Sequence, residues 1–260
     1  TFLLAAVGAA ATPVLAQVDV GKTSAMAKLV PAGTLEKSAA QQYSQMMAEA
    51  KAQGALASPN NAQLQRLRAI AQRLVPHTPQ WNERAPGWKW EVNLIGSKQI
   101  NAFVMPGGKI AFYTGILDQL QLTDDEIAMV MGHEMAHALR EHARERLAKS
   151  QVTGMGLSLG AQLLGLGDMG NLAANLGTEL LTLQYSRSDE SEADLVGLEI
   201  AARAGYDPKA AITLWQKMAK ATGDKGGMAF LSSHPSGPNR IKELEANLPK
   251  VESLYRKSPR

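Results

Sequence analysis

Thr123-Asp124-Asp125-Glu126-Ile127-Ala128-Met129-Val130-Met131-Gly132-His133-Glu134-Met135-Ala136-His137-Ala138-Leu139 is the stretch on which the fold turns. Thr123 followed three residues later by Glu126 is a capping-box signature, so a helix should begin at Asp124. Residues 127–139 are apolar almost all round, which predicts burial on every side. The charged, basic residues that follow suit solvent and the helix dipole, and the helix is expected to run on to about Lys149. Two histidines four residues apart lie ~40° apart around a helix axis and ~6 Å apart along it, so both imidazoles can reach one ion. Glu134 points to one side of that pair, where it could take a proton from a zinc-bound water. Chance gives His-Glu-x-x-His in a chain of this length less than roughly once in a hundred. A buried His pair beside a Glu, without a metal, would be costly.

A hydrolytic zinc needs a third protein ligand and one open position. There is no cysteine, so any metal must be held by His, Asp or Glu, and two imidazoles with a carboxylate favour one Zn2+ per chain. His142 lies five residues beyond His137, not six, and Arg140 stands where the long metzincin motif has Gly. Glu141 would have to reach an ion shared with His133 across a ~12 Å helical rise. The acidic run Asp189-Glu190-Ser191-Glu192-Ala193-Asp194 offers more. Glu190 and Asp194 are i, i+4 and share a helix face. Glu190 as ligand would leave the site neutral overall, and Asp194 could accept the N–H of a liganding His and fix its tautomer. Spacing alone leaves Glu192 and Asp189 open as alternatives, and a solvated helix N-terminus would also be acidic.

The rest of the chain organises around this helix. Residues 2–16 are apolar and uncharged and read as a signal peptide (1–16) cleaved before Gln17. Residues 17–58 are expected to form a loose leader and a helix over 35–53, residues 59–250 the domain built around the His-Glu-x-x-His helix, and 251–260 a tail. An amphipathic helix is expected over 61–75, with Leu64, Leu67, Ile70 and Leu74 on one face. Strands are expected at 88–95, 100–105 and 109–114, the last two joined by Pro106-Gly107-Gly108, giving a small antiparallel sheet. Helices follow over 187–204, from Asp207-Pro208 to about Thr222, and over about 238–247. Residues 152–183 are apolar and glycine-rich and could be a plug, a lid or a membrane contact. The formal charge is only +3 and no dense basic block occurs, which argues against nucleic acid as a partner.

These motifs resemble the HtpX/BepA-type zinc metallopeptidases, gluzincins whose relatives include the CAAX prenyl proteases and the mitochondrial inner-membrane stress protease. The matching residues are His133-Glu134-Met135-Ala136-His137, Glu190 through Asp194, His234-Pro235 with Arg240, and Asn101-Ala102-Phe103 with Pro106-Gly107-Gly108 ahead of the helix. The likeness covers about residues 60–245. It implies an α+β, mostly helical, zincin-like domain with the His-Glu-x-x-His helix at its centre. It implies Glu190, rather than Glu192, as third ligand beside His133 and His137. It places His234 near the metal, as an oxyanion donor or as occupant of the open position at rest, and gives Arg240 an orienting or oxyanion-stabilising role. Ile110, Ala111 and Phe112 are the expected edge strand for substrate, which metallopeptidases commonly bind as an added strand. The resemblance further implies a periplasmic endopeptidase acting on misfolded or stalled envelope proteins, possible contact with the membrane or the outer-membrane assembly machinery, and action without the helical-repeat tail of some relatives. The rival reading is a latent or chaperone-like zinc-binding module with little turnover.

Overall fold

The computed structural model describes residues 18–152, 184–222, 229–234 and 239–258. The expected signal peptide, the bulk of the apolar segment 152–183 and Pro235 lie outside the described residues.

The elements in chain order are α1 (Ala32–Ala52), α2 (Ala62–Leu74), β1 (Glu91–Ile95), β2 (Ala102–Met105), β3 (Lys109–Tyr113), α3 (Thr114–Leu120), α4 (Asp124–Leu139) and α5 (His142–Val152). Then come α6 (Arg187–Arg203), α7 (Ala210–Thr222), α8 (Ala229–Ser233) and α9 (Arg240–Lys257). The α+β, mostly helical architecture is the expected one.

The sheet differs from expectation. Its order is β1-β3-β2, with β2 and β3 antiparallel but β1 and β3 parallel. The tight turn at Gly107 and Gly108, both at positive φ, makes β2 and β3 a hairpin. The chain leaving β1 returns as β2 one place too far away to pair with it, and β3 fills the gap. The sheet is therefore mixed, and β3 is its middle strand.

Alternation along the strands gives the sheet two buried faces. Val92, Leu94, Ala102, Val104, Ile110 and Phe112 join the core built by α2, α4, α6 and α7. Ile95, Met105 and Ala111 face α1 and α5, against Leu35, Tyr43, Met47 and Leu147. α4 lies in the first core, and every residue from Glu126 to Leu139 is buried. Its start follows the sequence: the Thr123 hydroxyl accepts from Glu126 N–H, and the Glu126 carboxylate accepts from Thr123 N–H.

Three further expectations need correction. The helix from Asp124 does not continue to Lys149. It ends at Leu139, and Glu141 adopts φ 60, the left-handed region that stops a helix. The leader is not loose: Val18, Ala27 and Val30 are buried, Val18 N–H donates to Glu199 and Arg140 donates to Gly21 C=O. The last helix passes through Pro249 to Lys257, with Val251 fully buried. Pro249 sits on the exposed face, where water can take up the carbonyl its missing N–H leaves free. Among the described residues, no helix is long and apolar enough to cross a membrane.

Candidate metal centre

The two helices that carry the motifs cross at glycines. A Cβ on Gly132 of α4 would sit 2.8 Å from Gly197 C=O, and one on Gly197 of α6 would sit 2.6 Å from His133 N. Only bare backbone fits there, so α4 and α6 approach closely and α6 presents Glu190 and Asp194 to the two histidines. A second capping box starts α6: Ser186 accepts from Asp189 N–H, and the Asp189 carboxylate accepts from Ser186 N–H. That role removes Asp189 from competition as a ligand. Glu192 points elsewhere and pairs with Arg140.

His133 Nε2 and His137 Nε2 are 3.1 Å apart. His137 Nε2 is 3.4 Å from Glu190 Oε1, and His133 Nε2 is 3.5 Å from Glu190 Oε2. Two ligand atoms at ~2.0–2.1 Å from a tetrahedral ion stand ~3.3 Å apart, so these spacings are those of one shared ion. His234 joins the cluster: its Nδ1 is 3.2 Å from His133 Nε2 and 3.0 Å from Glu190 Oε1. Ligand atoms of His133, His137, Glu190 and His234 all lie within 4.8 Å of one another, and all four residues are buried. Among the described residues Glu190 Oε2 makes no hydrogen bond despite burial, as suits an oxygen that ligates a metal. The donor set thus fits a divalent metal.

Supports stand behind the ligands. Asp194 Oδ1 is 2.9 Å from His133 Nδ1, the acceptor that directs Nε2 toward the ion. Arg240, first residue of α9, donates Nε to Asp194 Oδ2 at 2.5 Å and Nη2 to Asp194 Oδ1 at 2.7 Å, and its Nη2 lies 3.2 Å from Glu190 Oε2. Its guanidinium stacks 3.4 Å over the Trp215 ring. Arg240 thus grips the two carboxylates through Nε and Nη2, while its Nη1 is buried with no hydrogen-bond partner among the described residues. Phe230 of α8 stacks on His234, with ring centroids 4.5 Å apart.

Charge follows from these contacts in the metal-free site. Burial alone would lower the His133 pKa, but hydrogen bonds to Asp194 and Glu190 outweigh it and raise it to about 9. Burial takes His137 well below its ordinary value, against the pull of Glu190. Burial opposes ionisation of Glu190 and Asp194, yet the three histidines hold Glu190 below the usual carboxylate range, and Arg240 with His133 does so for Asp194. Glu134 goes the other way: burial raises its pKa, and the Coulomb pull of His234 and His133 does not cancel the rise. Among the described residues its Oε1 has no hydrogen-bond partner; it lies 3.4 Å from His234 Nε2. A buried carboxylate with a raised pKa beside a cation site is equipped to accept and return a proton.

Ile110, Ala111 and Phe112 do not form an edge. They lie in the middle strand, fully buried, with neighbours bonded on both sides. The edge nearer the site is β2. Tyr113 N–H donates to Asn101 C=O, so by alternation Phe103 and Met105 also face β3, while Ala102 and Val104 turn their backbone groups outward. The Val104 amide hydrogen-bonds Glu134. A narrow crevice with about 20 Å³ of space open to water is lined by Leu35, Trp88, Val104, Pro106 and His137.

Two neighbours of His137 have contacts that the sequence reading did not foresee. Tyr185 stacks on its ring at 3.9 Å between centroids, and His142 Nδ1 lies 2.9 Å from its Nδ1. Nothing local marks Tyr185. Proximity in sequence hinted at His142, but not the chain reversal that aims it.

Fold and site together define a metallopeptidase of the His-Glu-x-x-His class. Residues 61–248 match Peptidase family M48, and the chain belongs to that family. It is 39% identical over 166 residues to the "Mitochondrial metalloendopeptidase OMA1" of Schizosaccharomyces pombe, covering 63% of this chain and 48% of that protein. It is 30% identical over 158 residues to the "Metalloprotease LoiP" of Escherichia coli, covering 57% of this chain and 58% of that protein. It is 29% identical over 135 residues to the "Beta-barrel assembly-enhancing protease" of Yersinia pestis, covering 48% of this chain and 27% of that protein. The chain thus spans about half or less of several of the relatives it matches.

Proposed function

We propose that this chain is a zinc-dependent metalloendopeptidase. The observation that carries the proposal is the pairing of a four-residue ligand cluster with Glu134, a buried carboxylate of raised pKa whose Oε1 is unpartnered among the described residues. His133, His137 and Glu190 would hold the metal, with zinc favoured by their nitrogen and oxygen donors. The bound ion would supply Lewis acidity toward a peptide carbonyl and toward water. Glu134 takes the proton of the attacking water and returns it to the leaving amine. Asp194 fixes His133, and Arg240 holds Asp194 and Glu190 in place. Substrate would add as a strand along the outward edge of β2 with the Ala102 backbone as its partner, the Val104 amide being taken by Glu134, and would approach the site beside His137. Ala102→Pro keeps the β2–β3 bonds while removing one outward N–H. It should abolish peptide cleavage without changing zinc content.

The proposed setting is the periplasm, with the apolar residues 2–16 as signal peptide. The proposed substrates are misfolded or stalled envelope proteins. The name of the Yersinia pestis relative, a beta-barrel assembly-enhancing protease, supports that reading.

One observation favours a latent resting form. His234 Nδ1 stands at ligand spacing from both His133 and Glu190, where it would take the position that substrate needs. Casein cleavage by the zinc-loaded chain and by His234→Ala decides the matter. Faster cleavage by the variant supports a capped enzyme, equal or slower cleavage removes the cap, and zinc-loaded proteins that both fail to cleave contradict the peptidase reading.

A further inference from the structure

His142 has no part in the roles above, yet it is 1% exposed and in contact with a metal-ligand candidate. On an unbroken helix a residue five positions on lies ~140° around the axis and ~7.5 Å along it, aimed away from its predecessor. The break at Glu141 changes that. Glu141 takes φ 60, a region non-glycine residues seldom visit, and its carboxylate is gripped by Arg84 and Arg144, each at 2.8 Å. The reversal begins α5 at His142 and turns its imidazole back onto His137, Nδ1 to Nδ1 at 2.9 Å.

At that distance one nitrogen donates and the other accepts. His137 Nε2 faces His133 Nε2 and Glu190 Oε1 at 3.1 and 3.4 Å. If His142 Nδ1 carried the proton, His137 would carry its own on Nε2, pointing into the ligand cluster and unable to bind a cation. We infer that His142 is a positioning residue: its Nδ1 accepts the Nδ1–H of His137 and fixes the tautomer whose Nε2 binds metal. His142 then carries its proton on Nε2, which makes no hydrogen bond among the described residues; the nearest carboxylate there, Glu192 Oε2, is 3.5 Å away, and Glu192 is paired with Arg140. The two liganding histidines are thus fixed differently, His133 by a carboxylate and His137 by a second imidazole.

The inference rests on the metal reading of the site, and the test separates the two. Zn2+ dissociation constants, by competition with a chelator, and the visible spectrum of the Co2+-loaded protein are measured for the chain, His142→Leu, His142→Asn and His142→Gln. His142→Leu should weaken zinc binding 10–100-fold and change the cobalt spectrum. Asn places an amide oxygen near the position of Nδ1, so His142→Asn should recover binding to within roughly threefold and restore the spectrum. Gln places its oxygen nearer the position of Nε2 and should behave like Leu, which keeps the comparison alive if His142→Leu does not fold. Leu or Gln binding zinc as tightly as the parent, or Asn as weakly as Gln, overturns the role of His142 alone. A parent that binds no zinc overturns the metal reading and this inference with it.

Discussion

Gly197→Ala probes the crossing that brings ligands and helices together. The new Cβ would stand 2.6 Å from His133 N, 2.7 Å from Gly132 C and 2.9 Å from His133 Cα. All three are backbone atoms of a buried helix and cannot swing aside. Ordinary contact begins near 3.4 Å, so α4 and α6 must part by roughly 0.8 Å at the crossing. Asp194, one turn earlier on α6, sits 2.9 Å from His133 Nδ1. The same displacement takes it to about 3.7 Å, beyond hydrogen-bond range. Overpacking costs about 1–3 kcal/mol, and Ala recovers about 1 kcal/mol of helix propensity over Gly, so the net loss is up to about 2 kcal/mol. The urea midpoint of the metal-free protein should fall, and zinc should bind 10–100-fold more weakly. Gly33→Ala is the control, because a Cβ there meets nothing within 4 Å. If Gly197→Ala matches Gly33→Ala in both stability and zinc affinity, the glycine contact does not set the site.

Three more outcomes follow from the same contacts. The His133 pKa of about 9 lies above its unfolded value, so this proton stabilises the metal-free fold fully below about pH 6.5, and that contribution is lost as pH rises through 9. Metal must displace the proton, so zinc affinity should rise up to tenfold per pH unit from 6.5 toward 9 and then level; a flat profile in chelator competition would contradict the assignment. Arg240→Lys replaces a fork spanning both Asp194 oxygens with a point charge. It should cost about 2–3 kcal/mol in urea unfolding and weaken zinc at least roughly tenfold, and unchanged values would sink its positioning role. Thr123→Ala removes the cap of α4 and should lower stability by about 1 kcal/mol with zinc affinity unaffected, as thermal melts and titration would show.

Whatever is written within one helix was legible in the sequence. The spacing of His133, Glu134 and His137, the pairing of Glu190 with Asp194, and the box at Thr123 depend on local geometry alone. The strands were legible from alternation, and the β2–β3 hairpin from its glycines. Their order was not, because pairing β1 with β3 is a non-local choice that two faces of burial make and no local residue announces. That order moved the sheet edge beside the site from Ile110–Phe112 to β2. The stop at Glu141 was hidden because it lacks the usual glycine and is held by Arg84 from a distant segment. With it went the role of His142. Gly132 and Gly197 were visible as glycines inside helical patterns, a hint of close packing, but not as partners of one another. Choosing Glu190 over Asp189 and Glu192 needed the family resemblance; the structure supplies the physical reason, since Asp189 caps α6 and Glu192 answers Arg140.

The most direct measurement is zinc content and casein cleavage, side by side, for the purified chain and Glu134→Gln, each also with His234→Ala so that a resting cap cannot mask activity. The expected result is about one zinc in every protein, matching the one ligand cluster among the described residues, with cleavage lost wherever Glu134 is Gln. Equal cleavage with Gln at 134 would remove Glu134 as the base, and proteins that bind no zinc would contradict the metal centre itself.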